Sequence, residues 1–123
     1  MLDIIDKFDL KYVEDPFFEE DFKSFAELTK SSKSLIVGDD LFTTDYKRLE
    51  NGVKTGAANG VILKVNQVGT LYQAKLFAET AHKNGYAVIT SHRSGDVCEG
   101  YLADIAVGMR SSMMKSGVVG GER

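Results

Sequence analysis

Five apolar, strand-like runs recur along the chain, and each of them ends in a single ionisable residue. These residues follow one another at intervals of 23 to 28 positions: Glu14, Asp39, Lys64, His92 and Lys115. Such a period is typical of a barrel of alternating strands and helices, in which the chemistry lies where each strand meets its following loop. Two carboxylates, two ammonium groups and an imidazole at one rim indicate a site for a multiply charged anion held by a divalent metal.

The length of the chain limits this interpretation. A complete barrel of this kind takes about 250 residues, with roughly 200 as a lower limit, whereas this chain has 123. We therefore predict an α/β fold in one domain over residues 1–123, a partial (β/α)8 TIM-type barrel with about five parallel strands alternating with helices. An open doubly wound sheet fits the periodicity equally well, but an ionisable residue at the same end of every strand favours the barrel.

The local patterns predict where these elements lie. Continuous apolar runs place strands at 10–14, 35–39, 60–65, 87–91 and 113–115. Apolar residues at helical spacing, together with capping residues, place helices at 2–8, 17–30, 45–53, 70–84 and 96–107. In the helix at 17–30 we expect acidic first-turn residues at Glu19, Glu20 and Asp21. In the helix at 70–84 we expect Leu71 to face inward.

Composition and charge narrow the classes of partner and the cellular setting. Fifteen basic and eighteen acidic residues give a net charge of −3, so we expect no nucleic-acid partner, for which clustered basic residues are typical. No apolar run approaches the ~18 to 20 residues of a membrane helix, so we expect no membrane partner either. The single Cys98 cannot form an internal disulfide, and no basic stretch with an apolar core follows Met1. We therefore predict a reducing, cytoplasmic location.

Five motifs, taken in their order and spacing, carry a resemblance to a known family. They are Val13-Glu14-Asp15-Pro16-Phe17, Val37-Gly38-Asp39-Asp40-Leu41, Leu63-Lys64-Val65-Asn66-Gln67-Val68-Gly69, Ser91-His92-Arg93-Ser94-Gly95, and Lys115-Ser116-Gly117 with Gly121-Glu122-Arg123. Together they resemble the successive motifs of enolase. The resemblance covers nearly the whole chain and corresponds to the C-terminal half of that family's barrel only.

The resemblance implies an activity and a set of functional residues. The implied reaction is the reversible, magnesium-dependent dehydration of 2-phosphoglycerate to phosphoenolpyruvate, so the implied partner is a small phosphorylated molecule and the implied cofactor is Mg²⁺. Glu14 and Asp39 match metal ligands, and Lys64 matches the base that takes the carbon-bound proton. The matches to substrate-binding positions are His92, Arg93, Ser94 and Lys115.

The chain also departs from the family pattern. A third metal-binding Asp, the glutamates that assist departure of the hydroxyl and the N-terminal lid domain all lie earlier in that family and are absent here. The residues Gly95-Asp96-Val97 stand where Gly-Glu-Thr is usual. Two hypotheses follow: a catalytic part that needs a complementing chain, or a non-catalytic enolase fragment that acts as a folded binding or assembly module. Open sheet edges predict self-association or a complementing enolase half in either case.

The same side chains also have purely structural interpretations. Glu14 and Asp39 are able to cap helices or form surface ion pairs, and Lys64 is able to extend to solvent from an apolar strand. His92-Arg93-Ser94 fits a simple helix entrance. We also expect His82 to be exposed and Cys98 to be buried. Four aromatic residues should contribute to the core: Phe17, Phe18, Phe22 and Phe25.

Overall fold

A computed structural model describes residues 1–97 and 100–117 of the chain. The interpretation of Cys98 and the motif Gly121-Glu122-Arg123 lie outside the described residues. No helix in the described part of the chain is long and apolar enough to cross a membrane.

Five parallel strands form one sheet in which every strand pairs with its neighbours in sequence. The strands are β1 (Tyr12–Glu14), β2 (Leu35–Gly38), β3 (Gly60–Leu63), β4 (Ala87–Ser91) and β5 (Met113–Lys115), and their spatial order is β1-β2-β3-β4-β5. A doubly wound sheet reverses its strand order at a switch point, whereas this sheet advances in one direction. The prediction of a partial barrel is therefore confirmed, and every observed strand lies within its predicted range.

The helices are α1 (Leu2–Phe8), α2 (Phe22–Ser31), α3 (Tyr46–Thr55), α4 (Val65–Val68), α5 (Leu71–Lys83) and α6 (Tyr101–Gly108). Side-chain caps fix two of their starts as predicted. Asp45 accepts hydrogen bonds from the amides of Lys47 and Arg48 at α3, and Thr70 accepts one from the amide of Gln73 at α5.

The predicted starts of α2 and α6 were wrong. Both helices begin later than predicted, because polar side chains bind backbone amides in the loops before them. The carboxylate of Asp21 accepts from the amide of Ser24 and caps α2, so Glu19 and Glu20 precede the helix and supply no first-turn acid. Asp96 does not begin α6, since its carboxylate accepts from the amides of Arg93 and Val97 within the loop. The single-turn α4 after Lys64 was not predicted.

Three predictions of side-chain exposure were also wrong. Phe18, on the loop before α2, is 66% exposed, while Phe25 is fully buried. Leu71 is exposed because it begins α5 instead of facing the sheet. His82 is partly buried, and its Nε2 lies 2.9 Å from the carbonyl oxygen of Met109, which links α5 to the end of α6.

The two faces of the sheet are packed unequally. The larger cluster lies between the sheet and the helices, and it includes Phe25, Ile36, Leu49, Phe77 and Val88. On the opposite face a small cluster contains Val37, Ile62 and Ile89, with Tyr12, Leu35 and Ala87 packed against it. Because the second face is the concave one in a barrel, this small cluster is part of the barrel interior.

Candidate functional site

Strand alternation brings charged residues to the carboxyl ends of the strands on the interior face. Residues two apart on a strand point to the same side, so Glu14 follows Tyr12, Asp39 follows Val37, and Lys64 follows Ile62 on the face of the small cluster. Lys115 lies two residues after Met113 at the end of β5. The sequence thus directs four ionisable side chains toward one rim.

Asp39 and Lys64 form a largely buried ion pair across β2 and β3. Lys64 Nζ donates to Asp39 Oδ2 at 2.5 Å, and the two side chains are only 14% and 12% exposed. Lys64 therefore does not extend into solvent. The second carboxylate oxygen, Asp39 Oδ1, is buried and has no hydrogen-bond partner among the described residues. Burying a carboxylate oxygen without a hydrogen bond lowers the stability of the fold. The same oxygen is available to bind a cation.

Glu14 is held at both of its carboxylate oxygens. Oε1 accepts from Lys115 Nζ at 2.7 Å, and Oε2 accepts from the hydroxyl of Tyr12 at 2.6 Å. Glu14 and Lys115 lie on the two edge strands, which a flat five-stranded sheet would separate by about 19 Å. The contact between them therefore shows that the sheet curls around its interior face.

The contacts of Glu14 determine the protonation of this corner of the site. Burial opposes ionisation of Glu14, but the hydrogen bonds from Lys115 and Tyr12 outweigh it, so the pKa of Glu14 lies below its ordinary value. Burial and the neighbouring Glu14 carboxylate raise the pKa of Tyr12 far above its usual range. Glu14 is thus an anion and Tyr12 a permanent hydrogen-bond donor near neutral pH.

His92 lies next to β5, one residue beyond the end of β4. Its amide donates to the carbonyl oxygen of Lys115 at 3.1 Å, and its ring Nδ1 accepts from the amide of Gly117 at 3.0 Å. Because Nδ1 is an acceptor, the neutral ring carries its proton on Nε2. His92 therefore offers a hydrogen-bond donor beside Lys115.

Arg93 and Ser94 lie exposed on the loop after β4. Asp96 organises this loop, since its Oδ1 accepts from the amide of Val97 at 3.0 Å and from the hydroxyl of Tyr101 at 2.9 Å. Burial opposes ionisation of Asp96, yet these bonds lower its pKa overall. Across residues 1–97 and 100–117, no side-chain hydrogen bond or ion pair joins Arg93 or Ser94 to the acidic residues of the rim.

The sequence patterns predict no functional role for Asp15 or Tyr12. The carboxylate of Asp15 accepts from the amides of Asp39 and Asp40 at 2.9 and 2.8 Å. Burial, together with the charges of Asp39 and Asp40, raises the pKa of Asp15 despite these two bonds. Strand alternation is the signal that would have placed Tyr12 beside Glu14, whereas no local pattern reveals the long-range bonds of Asp15.

The carboxylates at the rim suit a hard divalent cation. One oxygen from each of Asp15, Asp39 and Asp40 lies within 4.8 Å of the others, and Asp39 Oδ1 is buried without a partner in the described part of the chain. Magnesium and similar cations prefer carboxylate oxygen. The carboxylate oxygens of this cluster, and the free Oδ1 of Asp39 above all, therefore have the chemistry that a hard cation requires.

Comparison with known proteins gives one consistent result. The family model "Enolase, C-terminal TIM barrel domain" matches residues 1–123. An enolase of Pyrobaculum aerophilum is 54% identical over 121 residues, which cover 98% of this chain and 29% of that protein. Enolases of Archaeoglobus fulgidus and Halorubrum lacusprofundi are 46% and 47% identical over 123 residues, covering 100% and 98% of this chain and 31% of each relative. The chain thus spans less than a third of the length of these relatives.

Proposed function

We propose a function that follows from the family to which this chain belongs, the enolases. The chain supplies part of a site for the reversible dehydration of 2-phospho-D-glycerate to phosphoenolpyruvate. This is a lyase reaction of glycolysis and gluconeogenesis, for which we propose a cytoplasmic location. The observation that supports it best is the buried pair of Lys64 and Asp39 at the rim that also holds Glu14 and Lys115. Apolar replacements of a buried ion pair are often no less stable, so stability alone does not account for this pair.

The proposed roles follow from the chemistry of each side chain. Lys64 Nζ is the proposed base for the carbon-bound proton of the substrate. It acts in its neutral form, so the ammonium that pairs with Asp39 must first release a proton to solvent before Nζ takes the proton from carbon. Lys115 places a positive charge where the enediolate develops negative charge. Arg93 binds the phosphate through the planar fork of its guanidinium. His92 and Ser94 complete the substrate contacts as hydrogen-bond donors.

Glu14 and Asp39 are the proposed ligands of Mg²⁺. A bound magnesium ion would neutralise negative charge on the substrate carboxylate and on the enediolate formed from it. The free Asp39 Oδ1 supports this role, since it leaves Oδ2 able to keep its bond to Lys64. With only two proposed ligands from this chain, we expect weak affinity for Mg²⁺, because water fills the rest of the coordination shell.

We propose that catalysis requires a complementing chain that carries the remaining strands of the barrel. The outer edges of β1 and β5 end the sheet within the described part of the chain, and open edges invite pairing with another strand. Self-association through the same edges is the competing form of assembly. Sedimentation of the chain alone, and mixed with the complementing part of an enolase, distinguishes a homo-oligomer from a mixed complex.

The activity test mixes this chain with a separately produced enolase piece that contains the N-terminal domain and early barrel strands. With Mg²⁺ and 2-phosphoglycerate present, the absorbance of phosphoenolpyruvate should rise, while the chain alone should give no turnover. Lys64→Arg keeps a positive charge beside Asp39 but removes a usable base, so we expect turnover to fall by roughly 10²- to 10⁴-fold. Lys75→Arg, at an exposed position of α5, is the matched control and should leave turnover unchanged.

Three results would contradict this proposal. Turnover by the chain alone would refute the need for a complementing chain. A mixed complex that forms but stays inactive would favour the non-catalytic binding module. Equal activity of Lys64→Arg and Lys75→Arg would remove Lys64 from the reaction.

A further inference from the structure

Asp15 connects the end of β1 to the end of β2 through three hydrogen bonds. Its carboxylate accepts from the amides of Asp39 and Asp40 at 2.9 and 2.8 Å, and its own amide donates to the carbonyl oxygen of Val37 at 3.0 Å. Hydrogen bonds to an ionised carboxylate are shorter and stronger than neutral ones. The backbone on both sides of the Asp39 Cα is therefore fixed by the side chain of the residue that follows the neighbouring strand.

Asp15 holds this arrangement in an unfavourable backbone conformation. Its φ angle is 42°, in the left-handed region that Asp and Asn tolerate better than other side chains. Pro16 follows directly, and a residue before proline favours extended conformations. A strained residue beside a functional site persists only when the surrounding contacts enforce it, and such strain often serves the site.

We infer that Asp15 is a positioning residue for the pair of Asp39 and Lys64. By holding the amides of Asp39 and Asp40, Asp15 sets the direction of the Asp39 side chain. Asp39 Oδ2 then meets Lys64 Nζ at 2.5 Å, while Oδ1 has no hydrogen-bond partner among the described residues. The functional meaning of this inference rests on the proposed roles of Asp39 and Lys64, but the geometric claim does not.

The geometric claim is tested by the accessibility of Lys64, without metal or substrate. Brief acylation of lysine amines followed by mass spectrometry should label Lys64 slowly, because its side chain is only 14% exposed and paired. Asp15→Asn, which tolerates a positive φ but loses the charge and one acceptor, should raise labelling of Lys64 by roughly tenfold, the effect expected when a charge-assisted hydrogen bond is lost. Lys75, on α5, is the internal reference and should label equally in all variants.

Asp40→Asn is the matched control for charge. It removes the same negative charge from the same carboxylate cluster, but the bond from the Asp40 amide to Asp15 remains. Labelling of Lys64 should therefore stay at the level of the unmodified chain. Asp15→Glu keeps the charge and displaces the carboxylate by one methylene, so it should raise labelling as Asp15→Asn does.

Calorimetric titration with Mg²⁺ separates this inference from the proposed function. If the unmodified chain binds Mg²⁺, Asp15→Asn should weaken the affinity more than Asp40→Asn does. If the unmodified chain binds no Mg²⁺, the proposed metal role fails, and the labelling of Lys64 still decides the positioning claim. The positioning claim would be overturned by any of three results. These are unchanged labelling of Lys64 in both Asp15 variants, equal effects of Asp15→Asn and Asp40→Asn on that labelling, and loss of the folded state in both Asp15 variants.

Discussion

Replacing Lys64 by methionine should destabilise the chain far more than replacing Lys115 at the same rim. Both lysines pair with a carboxylate, at 2.5 Å for Lys64 with Asp39 and 2.7 Å for Lys115 with Glu14. The environments differ: the Lys64 and Asp39 side chains are 14% and 12% exposed, while the Lys115 and Glu14 side chains are 47% and 21% exposed. The comparison therefore isolates the effect of burial on one type of ion pair.

The magnitude follows from the geometry of the pair. At 2.5 Å, two unit charges attract by about 1.7 kcal/mol at the permittivity of water and by about 7 kcal/mol at an effective value of ~20. Lys64→Met leaves Asp39 buried and unpaired, and breaking a buried pair in this way costs about 3 to 5 kcal/mol. For Lys115→Met, Lys115 is open to solvent and Glu14 keeps its hydrogen bond from Tyr12, so the loss is limited to about 0 to 1 kcal/mol.

Urea unfolding followed by circular dichroism measures both losses. With a slope of roughly 2 kcal/mol per molar urea, Lys64→Met should lower the midpoint by about 2 M, and Lys115→Met by less than about 0.5 M. The double variant Lys64→Met with Asp39→Leu removes both charges and should recover most of the lost stability. A double-mutant cycle built from these variants gives the coupling directly.

Either of two results would contradict this expectation. A loss below about 1 kcal/mol for Lys64→Met would place the pair in the class of surface ion pairs. No recovery in the double variant would mean that the loss of stability does not come from an unpaired Asp39 charge.

Two further predictions concern pH dependence and packing. The pKa of Glu14 in the folded chain lies below its ordinary value. As pH falls below about 4.3, Glu14 is therefore protonated in the unfolded chain before it is protonated in the folded chain. The stabilisation due to Glu14 is then lost progressively as pH falls to the lower pKa of the folded state. Urea midpoints from pH 7 to 3 should thus fall less in Glu14→Gln than in the unmodified chain, and equal slopes would contradict the shift. Gly52→Ala would place a Cβ 2.4 Å from the Phe42 ring. Thermal unfolding should therefore show a loss of about 1 to 3 kcal/mol in the free energy of unfolding, despite the better helix propensity of alanine. A stabilised variant would refute this packing argument.

The sequence predicted the sheet well because buried parallel strands leave a strong local signal. Nearly continuous apolar runs such as those of β2, β3 and β4 have few alternatives, and their strands fell within the predicted ranges. Helix starts were harder, because they depend on which of several polar residues binds an amide. The start of α2 was placed too early for this reason: Asp21, and not a residue near Phe17, caps that helix.

The site could be predicted only as far as strand periodicity reaches. Alternation directed Glu14, Asp39 and Lys64 to one face, but it does not say which acid pairs with which base. The pairing of Glu14 with Lys115 spans 101 positions in sequence and depends on the curl of the sheet. The bonds from Asp15 depend on a left-handed residue after β1, which an Asp-Pro dipeptide alone does not predict.

The contacts at the rim also bear on how a complementing chain would act. Each of the charged residues Glu14, Asp39, Lys64 and Lys115 has its opposite charge within this chain, so their burial does not depend on a partner. The bond between Glu14 and Lys115 shows that this chain already has the curvature of a barrel, because edge strands of a flat sheet lie too far apart to form it. The complementing chain that we propose would therefore pair with the open strand edges and add its own side chains, and it would not need to shape the rim. It follows that binding of the complementing chain should leave the slow labelling of Lys64 unchanged, whereas a partner that reorganises the rim would alter it.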